Sequence, residues 1–131
     1  LLPVRFKNVK RHEWQPKYPV TLKMKASKSL EMLVDSGADF SLIPKDLGQL
    51  LGYELAVAET LHQAEGIGGS VNYALRNIEI QLDSYTFTAP VAWMQTEAYQ
   101  DVLLGREVVF DLFDVEFKQA DEKILFKKRE T

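Results

Sequence analysis

Alternating apolar and polar positions along the chain predict a protein built mainly from β-strands. Apolar residues recur at every second position from 20 to 24, which is the period of a half-buried strand, and the polar turn at 26–29 leads into an apolar run at 32–34. These two strands predict a hairpin. Its second strand feeds directly into Asp35, so this carboxylate would stand where the chain leaves the sheet.

A second hairpin is predicted in the middle of the chain. The apolar residues between 71 and 75 lie on one face of a strand, whereas those between 78 and 82 follow the opposite phase. Because the alternation changes phase at 76–77, we expect a bulge or bend there. Alternation resumes over 85–93 after a turn at 83–84, and this strand is expected to pair with the preceding one.

Short helices interrupt the strand pattern. Pro44 and Gly52 bracket one predicted helix, with proline near its first turn and glycine just past its end. Apolar residues at helical spacing predict a second helix over 106–113. Strands at 115–118 and 123–126, joined by a polar turn, predict a closing hairpin. The expected fold class is therefore all-β, with one or two short helices.

Composition fits one domain covering residues 1–131. The chain is 46% hydrophobic and 27% charged, enough apolar residues to bury a core, and we find no internal repeat. A net charge of -3 argues against binding nucleic acid, for which a basic surface is expected. The absence of cysteine excludes a disulfide framework and cysteine catalysis.

The compartment stays open on sequence grounds. No apolar run approaches the roughly 20 residues that a membrane span requires, so none is expected. We recognise no targeting segment. The chain begins at Leu1 rather than Met, which fits a processed form or an excised fragment that has lost such a segment.

Asp35-Ser36-Gly37, at the end of an apolar strand, is the strongest candidate for chemistry. Carboxylates that hydrolyse an amide work as a pair sharing one proton, because like charges a few ångströms apart cannot both ionise. Only one such motif occurs, so the chain carries half an active site that a homodimer would complete. Gly37 has no Cβ and permits a tight turn and the approach of a second loop, while the Ser36 hydroxyl can tie the two loops together. Alone, such a motif is usually a surface turn.

A glycine-rich segment at 65–70 predicts a flexible hairpin tip. Gly66, Gly68 and Gly69 flank the apolar Ile67, tolerate positive φ and leave backbone N–H groups exposed. Such a tip can close over an extended peptide, form main-chain hydrogen bonds with it and exclude water. Taken by itself, the segment fits a plain mobile loop equally well.

Three segments together carry a family resemblance. Residues 32–39 (MLVDSGAD) resemble the active-site segment of retropepsin-like aspartic proteases, residues 65–70 (EGIGGS) resemble the tip of their flap, and residues 102–106 (VLLGR) resemble the segment before their C-terminal helix. The resemblance covers roughly residues 18–127 and leaves 1–17 as an N-terminal extension or strand. It implies a homodimeric acid protease barrel that acts as an aspartic endopeptidase on peptide or protein substrates, without cofactor or metal.

The resemblance also assigns roles within the loop that follows the apolar strand. Asp35 would be the catalytic carboxylate, and Ser36, Gly37 and Ala38 would complete the active-site loop. Ser36 would bond to the other subunit, and Gly37 would offer a backbone acceptor to the substrate. Ser36 stands where many members have Thr.

Further roles follow from the same resemblance. Asp39 would hold the substrate main chain and pair with Arg106, which Gly105 precedes as a second supporting residue. Leu33 and Leu103 would line an apolar specificity pocket.

In the flap, the amide of Ile67 would reach the substrate through a water, between Gly66, Gly68 and Gly69. The terminal strands of the two subunits would interleave, through residues 1–6 or 124–126. Two further departures from the family pattern are Glu107, where Asn or Asp commonly stands, and a longer flap strand.

A second hypothesis is a fold relative that binds peptide or dimerises without useful turnover. Ser36 and Glu107 keep it open, whereas the intact Asp35 favours the enzyme. The two histidines, His12 and His62, have no cysteine or carboxylate at a metal-ligand spacing and are interpreted as ordinary surface or core residues.

Overall fold

The computed structural model describes residues 14–66 and 69–130. Within these ranges the chain forms β1 (Lys17–Lys23), β2 (Ser27–Val34), β3 (Ser41–Ile43), α1 (Lys45–Leu51), β4 (His62–Gly66), β5 (Gly69–Leu82), β6 (Tyr85–Met94), β7 (Leu103–Leu104), α2 (Val109–Leu112), β8 (Phe113–Lys118) and β9 (Lys123–Lys128). The predicted all-β class with short helices is confirmed. The predictions for residues 1–6, Ile67 and Gly68 lie outside the described residues.

The larger sheet closes on itself. Its strand order is β1-β2-β7-β3-β6-β5-β4, and β1 also pairs with β5 through Thr21↔Gln81 to Lys23↔Glu79. The six strands from β1 to β5 in this order therefore form a barrel, and β4 extends from it as the outer strand of a hairpin with β5. The short strand β7 lies inside the sheet, parallel to β2 and antiparallel to β3.

The predicted hairpin β5–β6 is present; of the bulge or bend predicted at 76–77, the bulge is wrong. The pairing runs without interruption from Tyr73↔Met94 to Leu82↔Tyr85. The apolar phase changes because the two halves of β5 bury opposite faces: Ile78, Ile80 and Leu82 point into the core, whereas Val71 and Tyr73 line a groove outside it. An unbulged strand between two apolar environments gives the same pattern as a bulged strand.

The first predicted helix is confirmed as α1. Pro44 precedes it, and Gly52 ends it in the left-handed conformation, at φ 108, with its N–H donating to the carbonyl of Gln49. On its inner side, the indole N–H of Trp93 donates to the carbonyl of Lys45 at 2.9 Å, which fixes the helix against β6.

The second helix is shorter than the predicted span 106–113. Only α2, four residues long, is helical, and Phe113 already belongs to β8. Val108 has φ 69, which no right-handed helical residue adopts, so a continuous helix from Arg106 is excluded. At the other end Phe113 is drawn into the core, where its ring packs 5.8 Å from those of Phe87 and Phe126.

The core fills the barrel and extends under the closing hairpin β8–β9, which pairs in antiparallel register as predicted. Its fully buried side chains come from nearly every strand and include Leu22, Met32, Ile43, Ile78, Ile80, Leu82, Trp93, Leu104 and Phe113. None of the helices in the described ranges is long and apolar enough to cross a membrane.

Gly48 in α1 offers a test of this packing. A Cβ at this position would lie 2.1 Å from Nε1 of the buried Trp93. In an open helix Gly→Ala stabilises by about 1 kcal/mol, but here we expect Gly48→Ala to destabilise by about 1–3 kcal/mol, because helix and indole must separate. Urea unfolding measures this, with the exposed Gln49→Ala as control. A Gly48→Ala variant as stable as the wild type would contradict the packing described.

Candidate active site

Asp35 is held from both sides at the end of β2. Leu33 and Val34 pair in parallel with Leu103 and Leu104 of β7, and the N–H of Asp35 donates to the carbonyl of Leu104 at 3.0 Å. The apolar strand therefore delivers the carboxylate to a fixed position at the edge of the barrel, as the sequence predicted.

The Asp35 loop (residues 35–40) turns tightly around this carboxylate. The N–H of Gly37 donates to Oδ1 of Asp35 at 2.9 Å, and the N–H of Ala38 donates to its carbonyl at 3.2 Å. A Cβ at Gly37 would lie 3.3 Å from the same Oδ1, closer than side chains normally approach. Glycine at this position thus lets the backbone amide, rather than a side chain, face the carboxylate. Ser36 and Gly37 are exposed, while Ala38 and Asp35 are half-buried.

A second segment, residues 103–107, closes against the Asp35 loop. The N–H groups of Arg106 and Glu107 donate to the carbonyls of Ala38 and Asp39, at 2.9 and 2.8 Å. A Cβ on Gly105 would lie 2.4 Å from the carbonyl oxygen of Phe40 and 2.9 Å from that of Ala38. Only a glycine allows the two backbones to come this close.

Ser41 completes this contact and was not anticipated from the sequence. Its side chain is 1% exposed, and its Oγ accepts a hydrogen bond of 2.9 Å from the N–H of Gly105. This N–H faces the Asp35 loop and would otherwise be buried without a partner. The sequence feature that could have indicated this role is a hydroxyl residue, Ser41, at the start of the apolar run that follows the Asp35 loop.

Asp39 and Arg106 form the predicted ion pair between their side chains. The side chains are 74% and 54% exposed, so in the described chain the pair is solvated and contributes little to stability, on the order of 0–1 kcal/mol. Together with Glu107, Phe110 and Asp111 they line an open depression with a volume of about 480 Å³.

The flap hairpin, formed by β4 and residues 69–73 of β5, faces the Asp35 loop across a groove. Gly66 pairs with Gly69 and Glu65 with Ser70, so these two glycines flank the tip as predicted. The groove has a volume of about 480 Å³ and is mainly apolar; it is lined by Ala38, Asp39, Phe40, Leu42, Ala64, Val71, Tyr73, Ala92, Met94 and Tyr99. Tyr73 and Met94 also pair across the sheet at the base of the flap.

Tyr99, which lines the groove, is a second site residue that sequence reasoning missed. Burial raises the pKa of its phenol, and the carboxylates of Asp101 and Asp35 raise it further. The phenol therefore stays protonated, and its O–H is engaged in a hydrogen bond with the side chain of Asp101. It lies in a loop without regular structure, where no periodic signal marks it.

Leu33 and Leu103, predicted to line an apolar pocket, do share a depression, with a volume of about 250 Å³. Val102 adds a third apolar wall, but the remaining lining residues are polar: Gln15, Lys17, Glu31, Gln100 and Asp101. The depression is therefore more polar than expected. Across residues 14–66 and 69–130, no group of three or more His, Cys, Asp or Glu side chains could hold a metal ion.

Comparisons with known proteins agree with this geometry. A family model described as aspartyl protease matches residues 20–108. The solved structure of EIAV protease complexed with the inhibitor HBY-793 superposes with a TM-score of 0.56 at 19% identity, over 85% of this chain and 94% of that chain. At this identity the match shows the fold, and it confirms the expected retropepsin-like barrel. A comparison with curated proteins returned no match.

Ser41 can be tested by removing its hydroxyl. Ser41→Ala leaves the buried N–H of Gly105 without an acceptor, which should destabilise the protein by about 1–3 kcal/mol. Ser29→Ala, which removes an exposed hydroxyl bonded to Thr21, should change stability by no more than about 0.5 kcal/mol. Chemical unfolding compares the two, and equal effects would show that the Ser41 bond does not support the site.

Proposed function

Because this chain belongs to the aspartyl protease family, we propose that it is an aspartic endopeptidase that hydrolyses peptide bonds in extended polypeptides. The observation that carries the proposal is the placement of Asp35. Its carboxylate sits at the end of β2, one oxygen held by the N–H of Gly37, in the loop whose next residues line the groove under the flap.

Catalysis would use two Asp35 carboxyl groups, one from each subunit of a homodimer. One ionised carboxylate takes a proton from a water molecule as the water oxygen attacks the peptide carbonyl carbon, while the other carboxyl gives its proton to the carbonyl oxygen. The tetrahedral gem-diol then collapses: the C–N bond breaks, the leaving nitrogen takes a proton from the first carboxyl group, and one hydroxyl of the gem-diol returns its proton to the second carboxylate, which restores the pair. The chain supplies one motif of this kind, which supports a dimer.

Substrate binding would rely on main-chain hydrogen bonds and apolar contacts. An extended peptide in the groove can pair with the backbone of the flap on one side and of the Asp35 loop on the other. Asp39 would accept from the peptide main chain, and Ser36 would bond to the partner subunit. The apolar wall formed by Leu42, Val71 and Met94 favours apolar side chains, and the depression at Leu33 and Leu103 would take a neighbouring side chain.

The first test is cleavage of a diverse peptide library from about pH 3 to 8, the range over which a carboxylate dyad titrates. Wild type should cleave at acidic to mildly acidic pH and lose activity when both carboxylates ionise. Asp35→Asn should lose about 10³-fold or more, whereas Asp121→Asn, an exposed change in the β8–β9 turn, should not. Cleavage by Asp35→Asn would show that the activity comes from another site or from a contaminant. No cleavage by a wild type shown to be dimeric would favour a peptide-binding or dimerisation module.

Arg106 tests the role of the ion pair in the dimer. In a single subunit the pair is solvated, so its loss should cost at most about 1 kcal/mol. If association buries Asp39 and Arg106, Arg106→Ala leaves a carboxylate unpaired at the interface, and the dimer should weaken about tenfold or more. Sedimentation at several concentrations measures association and thermal melting measures folding. Unchanged melting together with unchanged association would reject a structural role for Arg106.

A further inference from the structure

Arg76 is a charged residue at a core-facing position of β5. In the uninterrupted strand it shares a face with Ala74 and Ile78, both buried. Its guanidinium leaves the core by lying over the buried ring of Trp93, with its central carbon 5.4 Å from the ring centroid. The apolar alternation of β5 thus changes phase at an arginine, without a bulge.

The guanidinium holds a segment that has no strand partners. Residues 53–61, which connect α1 to the flap, contain neither helix nor strand. Two guanidinium nitrogens of Arg76 donate to the two carboxylate oxygens of Glu59, at 2.7 and 2.8 Å, and one of them also donates to the carbonyl of Glu54 at 2.8 Å. One side chain therefore fixes both ends of this segment against β5.

Glu59 itself closes a turn in the same segment. Its Oε1 accepts from the N–H of Ala56 at 3.0 Å, and its own N–H donates to the carbonyl of Ala56 at 3.1 Å. Hydrogen bonds from Arg76, then that from Ala56, lower the pKa of Glu59 from 4.5 to about 2, with a smaller contribution from His62. Because the pKa of Glu59 is lower in the folded protein, the Arg76–Glu59 pair stabilises the folded state above about pH 4.5. This stabilisation is lost only as the pH falls toward 2. The pair stays charged in mildly acidic solution.

The position of this contact relates it to the flap. The flap hairpin leaves the main sheet at Tyr73, the last residue of β5 paired with β6 on that side. β4, the other strand of the flap, begins at His62, three residues after Glu59. Arg76 therefore joins the base of one flap strand to the segment that leads into the other.

We propose that Arg76 is a positioning residue that sets how the flap lies over the groove, by clamping residues 53–61 to β5 through Glu59. The expected effect of Arg76 on peptide cleavage rests on the proposed peptidase function. The expected effect on the protection of the flap does not. Lysine cannot replace arginine here, because a single ammonium group cannot bind both carboxylate oxygens and the carbonyl of Glu54 while stacking on Trp93.

The test compares Arg76→Lys and Glu59→Gln with wild type by two measurements. Amide hydrogen exchange in residues 62–66 and 69–73 should accelerate about tenfold in both variants, while β6 keeps its protection. With a cleaved peptide, KM should rise several-fold with kcat changed less than about twofold, because the flap contacts ground state and transition state alike. The double variant should be no worse than the stronger single variant, since the two side chains act as one unit.

Arg129→Lys is the matched control, because Arg129 also pairs with a carboxylate, Asp114, but on the surface and away from the flap. It should change neither measurement. Wild-type flap exchange and wild-type KM in folded Arg76→Lys and Glu59→Gln would overturn the proposal; if Arg76→Lys does not fold, Glu59→Gln decides alone. Hydrogen exchange needs no turnover, so the clamp is tested even if the wild type cleaves no peptide and the proposed function fails.

Discussion

The close approach of two backbone segments at Gly105 is the constraint on which the rest of the site depends. Residues 103–107 pass so near the Asp35 loop that a single Cβ at Gly105 would overlap the carbonyl of Phe40. The contact allows β7, only two residues long, to pair with β2 on one side and β3 on the other. Both strands that flank the Asp35 loop are thereby fixed to one segment, which holds the backbone of Asp35 in addition to the hydrogen bond from Gly37 within the loop.

This arrangement explains why so few polar side chains support the carboxylate. The main-chain groups around Asp35 are already paired with Leu104, Ala38 and Pro16, and the buried hydroxyl of Ser41 accepts a hydrogen bond from the N–H of Gly105. In the described chain, the outward face of the loop retains exposed Ser36, Gly37 and Asp39. The hydrogen-bonded inner face and the exposed outer face are compatible with the proposed dimer, in which a second copy would complete the site.

The hairpin β5–β6 borders both the core and the groove under the flap, because its two faces carry different side chains. One face carries Ile78, Ile80 and Trp93 into the core, and the other carries Tyr73 and Met94 to the groove. At the position where the apolar side chains of β5 change from one face to the other, Arg76 binds the carboxylate of Glu59 and the backbone carbonyl of Glu54. The connection between α1 and the flap (residues 53–61) is therefore tied to the sheet by side-chain contacts, among them this ion pair, not by strand pairing.

The sequence alone determined the features that depend on local pattern. Alternation predicted the hairpins, Pro44 and Gly52 marked α1 correctly, and the Asp35-Ser36-Gly37 motif after an apolar strand identified the loop. The ion pair between Asp39 and Arg106 was predicted from the family resemblance, not from the local pattern. The tertiary structure alone decided what depends on contacts between distant segments. The phase change in β5 is unbulged because its two faces meet different surroundings, and α2 is short because Phe113 is drawn into a ring cluster. Ser41 and Glu59 acquire their roles from partners 64 and 17 residues away, and no local pattern encodes such distances.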